Sequence, residues 1–154
     1  MRTQPGVAAF FTADWACRVC AAVDAGPGPE DRCRAVPSYW EWIDRARAGF
    51  RARWAFGVRD DEGRGFLLLH WDAGRCVRGE IVDREAAEQA EYLITATAQG
   101  WRELFAGYPP ARAVMYRMLL LERGCVLGFF RVLYLFVESM ACLLTVPTAF
   151  EPAA

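Results

Sequence analysis

The chain has 154 residues, which suits one domain with its own core and requires no disulfide or metal staple. Hydrophobic residues make up 55% of it and aromatic residues 14%, a load that implies a large rigid core or an aromatic-lined cavity. A formal net charge of -1 argues against the basic footprint of a nucleic-acid binder. Every basic residue is arginine and asparagine is absent, a bias that reads as genomic composition rather than as a site.

Residues 1–10 read as an N-terminal tail whose apolar run is too short for a signal peptide. Thr12 is a suitable N-cap for a helix from Ala13 to about Val23, with Asp14 in its first turn. The Gly/Pro-rich stretch 24–30 reads as a loop. Pro37 or Ser38 opens a second helix, with Tyr39, Trp42, Ile43 and Ala46 as its apolar stripe. From Phe50 to Arg59, apolar residues alternate with mostly charged ones, which predicts a strand with one buried and one wet face. Arg45, Arg47, Arg51, Arg53, Arg59 and Arg64 are expected on solvated surface. A hairpin loop over 60–65 leads into 66–71, apolar on both sides and so expected in the middle of a sheet. Ala73-Gly74 turns the chain into a strand over 75–82.

The stretch 83–89 then connects to a strand at 92–97 and a helix at 99–106, stopped by Gly107 and the Tyr108-Pro109-Pro110 turn. Val114 to Glu122 reads as helix or strand, and Gly124 introduces a nearly continuous apolar segment before a C-terminal tail at 147–154. Strands segregated from helices indicate an α+β domain spanning the whole chain. Arg123, Arg131 and Glu138 interrupt the last segment, so it falls short of a spanning helix, and a cytoplasmic protein without membrane insertion is expected. Without an export signal the six cysteines are expected reduced. Cys17 and Cys20 have metal-like spacing but no second pair, so no metal and no cofactor is assigned.

Two polar groupings stand out. Arg131, Tyr134, Glu138 and Cys142 share one helical face, either a solvated flank or the polar end of a binding cavity. His70, the only histidine, shares a strand face with Asp72, which could orient it as a general base. No serine elbow, phosphate loop or dinucleotide fingerprint is present.

Phe11 to Trp15 with Val23-Asp24-Ala25, the meander from Ala52 through Cys76, and Ala90 to Thr97 followed by Trp101, Phe105-Ala106-Gly107 and Pro109-Pro110 resemble the sterol carrier protein-2 family in its compact bacterial form. The likeness covers roughly residues 10–146. The chain departs from it with a longer first loop at 26–36 and an apolar stretch at 118–125 where the family is polar. The resemblance implies a five-stranded, mostly antiparallel sheet backed by helices, with an apolar tunnel between the layers. It also implies binding of a sterol, lipid or fatty-acyl chain without chemistry, in some cases alongside enzymes of steroid breakdown or natural-product assembly.

On that frame the candidate ligand-binding residues are Trp54, Phe56, Trp101, Phe105, Phe129, Phe130, Leu133, Phe136, Val137 and Met140. Three functions stay open. One is a carrier of a hydrophobic small molecule. Another is an enzyme cyclising or isomerising a polyketide or terpenoid, with His70, Asp72, Tyr134 or Glu138 as acid or base. The third is a homodimer or partner-enzyme subunit docking through its apolar C-terminal helices.

Overall fold

Thr12 caps the first long helix, its Oγ1 accepting the Trp15 backbone N–H at 3.3 Å. The computed structural model describes residues 6–150. In chain order these form β1 (Ala8–Ala9), α1 (Ala13–Ala25), α2 (Pro29–Arg32), α3 (Pro37–Arg47), β2 (Ala52–Val58), β3 (Phe66–Asp72), β4 (Arg75–Val82) and α4 (Arg84–Glu88). There follow β5 (Tyr92–Ala96), α5 (Ala98–Phe105), α6 (Pro110–Met115), β6 (Leu120–Arg123), α7 (Val126–Arg131), α8 (Leu133–Leu143) and β7 (Thr148–Ala149).

The domain is α+β, with a mixed five-stranded sheet in the order β4-β3-β2-β5-β6. β2 pairs parallel with β5, and the other three ladders are antiparallel. Trp54, Phe56, Leu67, Leu69 and Ile94 lie in the main core with Trp15 of α1, Trp101 of α5 and Phe136 of α8, all buried. Ala55, Phe66, Leu68 and Leu93 form a smaller core with Ala87 of α4 on the opposite face. Each large apolar side chain buried this way contributes about 1.5–3 kcal/mol relative to exposure.

Two devices set α1 on the sheet. Gly79 of β4 carries no side chain, and a Cβ there would collide with the Ala16 carbonyl oxygen and with Cys20 Cβ. At the far end of α1, Asp24 accepts from Arg75 at 2.8 and 2.6 Å and from the Cys76 backbone N–H at 3.0 Å. Arg47 of α3 donates to the Asp24 carbonyl at 2.6 Å and to the Gly74 carbonyl at 2.7 Å. One carboxylate and two guanidinium groups thus join α1, α3 and the β3–β4 turn.

Several expectations are corrected. The second face of β2 is not wet, because Ala55 and Gly57 are buried beneath neighbouring side chains and α4. Arg47 is half-buried and structural rather than solvated. In α3 the buried residues are Trp40 and Ile43, while Trp42 is 61% exposed. Trp40 Nε1 donates to the Arg32 carbonyl at 2.7 Å, so α2 selects the face that turns inward. The stretch 114–122 divides between the end of α6 and β6. The following apolar segment breaks at Val132 (φ -112°, ψ 18°) into α7 and α8. Positions 8–10 and 147–150 are not loose tails: β1 pairs parallel with β7, and the Phe10 and Phe150 rings meet at 4.8 Å.

Candidate functional site

The short elements after α5 leave space that long ones would fill. Arg117 adopts a left-handed backbone (φ 62°) that ends α6, and Leu119 donates to the Ala113 carbonyl at 3.0 Å to close the turn. Gly124 (φ 129°) packs against the Glu91 carbonyl where β6 leaves the sheet. The result is a groove of about 570 Å³ lined by Tyr39 of α3, Ala111, Val114 and Met115 of α6, Arg117, Phe130 of α7, and Leu133, Tyr134 and Val137 of α8. A recess of about 180 Å³ shares Val114, Arg117 and Phe130 with it and reaches Ile94, Leu121, Phe129 and Phe136.

Among the described residues, Arg117 is the one charged group lining either space. Along one side, the Tyr39 hydroxyl donates to Glu138 Oε1 at 2.8 Å and its ring meets Tyr134 edge-on at 5.5 Å. Burial, reinforced by the hydrogen bond to Glu138, pushes the Tyr39 phenol well above its ordinary value, so it remains a donor through the neutral range. Further along α8, burial pushes the Cys142 thiol up to about 11, which keeps it protonated and unreactive.

The residues read from sequence divide into two groups. Phe130, Leu133 and Val137 line the groove, and Phe129, Phe130 and Phe136 line the recess. Trp54, Phe56, Trp101 and Met140 are packed solid in the core. Trp54 meets Trp71 at 5.1 Å and Phe136 at 5.5 Å, and Trp101 Nε1 is committed to the Gly57 carbonyl at 3.0 Å. Phe105 packs edge-on against Phe10 and Phe150 at the far edge. The main space therefore opens beside α6, α7 and α8 instead of running over the centre of the sheet, where aromatic rings fill the volume.

The polar stripe is likewise split. Arg131 ends α7, Tyr134 faces the groove, Glu138 bonds to Tyr39, and Cys142 is buried. His70 turns to Glu80 at 3.1 Å across the β3–β4 ladder, while Asp72 pairs with Arg51 at 2.9 Å. His70 shares its strand face with Leu68 of the smaller core, opposite the face carrying Leu67 and Leu69. The four candidate acids and bases do not converge.

Sequence reasoning misses Tyr39, Ala111, Val114, Met115 and Arg117 as site residues. Tyr39 reads there as core stripe, and α6 carries too short a pattern for its faces to be told apart.

This architecture is the sterol carrier protein 2 fold, a class of α+β domain. Among solved structures, that of a sterol carrier protein 2 is similar, with a TM-score of 0.66, 22% identity and 89% of this chain and 98% of that one covered. A conserved hypothetical protein of Thermus thermophilus, named as a possible sterol carrier protein, has a TM-score of 0.64 at 23% identity over 94% of this chain and 92% of its own. No protein-family model matches the sequence, and no curated protein matches it.

Proposed function

We propose that this protein binds and carries a hydrophobic small molecule in the groove between α3, α6, α7 and α8. The supporting observation is the groove itself: about 570 Å³, apolar but for the tyrosine hydroxyls and Arg117, and within the size range of small-ligand sites. A sterol, a fatty-acyl or other lipid chain, or a polyketide or terpenoid fits that chemistry, and the ligand gains by leaving water at about 25 cal/mol per Å² of apolar surface. The two solved structures named above carry the same fold, and one of them is a sterol carrier protein 2, which suits the reading. An enzyme on this scaffold has less support, because His70 pairs with Glu80 and Asp72 with Arg51 on the sheet, away from Tyr134 and Glu138, and Glu138 accepts from Tyr39.

Titration with a polyene fatty acid and with a fluorescent sterol tests the proposal. Binding of at least one is expected. Leu133→Trp, which fills the groove, should weaken it at least about tenfold while leaving the circular dichroism unchanged. Unchanged affinity in that variant, or no binding by the natural chain, would overturn it.

A further inference from the structure

The groove opens through an unusual stretch of surface. Among the described residues, most of the large hydrophobic ones that stand exposed, namely Met115, Tyr116, Val126, Leu127, Phe130 and Tyr134, fall between α6 and the first turn of α8. Met115, Phe130 and Tyr134 line the groove and Val126 lines the recess, so they rim one opening rather than being scattered. Leu127 is 74% exposed yet lines neither space. Monomeric proteins rarely leave such a cluster bare without a partner for it.

The charge around this rim identifies the partner. Residues 110–134 carry Arg112, Arg117, Arg123 and Arg131 against a single carboxylate, Glu122, in a chain whose formal net charge is -1. Elsewhere the arginines are mostly neutralised, as Arg32 is by Asp44 and Arg75 by Asp24. Arg112, Arg117 and Arg131 are exposed and, among the described residues, have no acidic partner. Arg123 reaches Glu88 only at 3.9 Å. No helix among the described residues is long and apolar enough to cross a membrane, so contact would be peripheral.

We propose that the rim formed by α6, α7 and the start of α8 docks on an anionic lipid bilayer. Leu127 and its neighbours enter the headgroup region, and Arg112, Arg117 and Arg131 meet the phosphates or carboxylates of the lipids. Docked this way, the groove faces the bilayer, and an apolar ligand passes between them without crossing water. The purpose of this surface rests on the groove reading above, but its physics does not, and the two are measured separately.

The test is flotation of the full chain with vesicles of phosphatidylcholine alone and with vesicles containing about one third phosphatidylserine. Binding is expected on the anionic vesicles and to fall as salt rises. Leu127→Glu should weaken it at least about tenfold, the scale of losing one buried leucine. Arg112→Gln with Arg131→Gln should weaken it roughly twenty-five-fold, about fivefold per arginine. None of these residues lines the groove, so affinity for a soluble fatty-acid probe should be unchanged in both variants. Equal binding to both vesicle types, no vesicle binding, or a dimer that Leu127→Glu dissociates in place of vesicle binding would each overturn the docking surface. Vesicle binding by a chain that takes up no probe would overturn the groove reading and leave the docking surface standing.

Discussion

At the residue scale, the strongest local commitments lie outside the groove. Asp24 is the hub where α1, α3 and the β3–β4 turn meet, and its bonds to Arg75 hold its carboxyl below the usual range against the opposing effect of burial. A lowered folded-state value contributes stability above the unfolded pKa, near 3.8, and loses it as pH falls through the folded value. Denaturant unfolding should therefore show stability falling below about pH 4, and Asp24→Asn should remove that component together with about 1–3 kcal/mol at neutral pH. Gly79→Ala should cost about 1–3 kcal/mol in the same assay, because its Cβ meets the backbone of α1 rather than a side chain that can move. Neither role was legible in the sequence. Asp24 stands at the edge of a Gly/Pro-rich loop and Gly79 inside an unremarkable strand, and both acquire meaning only from residues distant in the chain: Arg47, Arg75 and Cys76 for Asp24, Ala16 and Cys20 for Gly79.

Elements were legible in proportion to their length and periodicity. α1, β3, β4 and β5 match the predicted spans to within two residues, since each carries a cap, an alternation or a clear turn. The region that builds the groove was least legible: α6, β6 and α7 span four to six residues each, too few to establish a period. Their arrangement depends on left-handed backbone at Arg117 and Gly124. Gly124→Ala brings a Cβ onto the Glu91 carbonyl, a backbone contact that cannot give. Loss of hydrogen-exchange protection should then appear first at Leu120–Arg123, with probe affinity reduced and the β2–β3–β4 ladder still protected. Equal loss across the whole sheet would show that β6 is not an independently yielding edge.

At the scale of the whole molecule, binding and stability are linked. A ligand held only by the folded groove adds about 2.7 kcal/mol at a hundred times its Kd, or roughly 5–10 °C in Tm for a chain of this size. The Leu133→Trp variant should show no such rise, and an equal rise would place the ligand elsewhere. The segregation of strands from helices predicted an α+β domain, the excess of apolar and aromatic residues an unusual interior, and the alternation in β2 with the apolar run of β3 located its sheet, because such patterns are written residue by residue. The sequence could not divide that apolar load between core and cavity. Trp54 and Phe130 are equally greasy on paper, yet one is sealed between Trp71 and Phe136 while the other stands open on the groove. Which side chains meet a neighbour is a property of packing between distant segments, and only the folded chain decides where those neighbours stop.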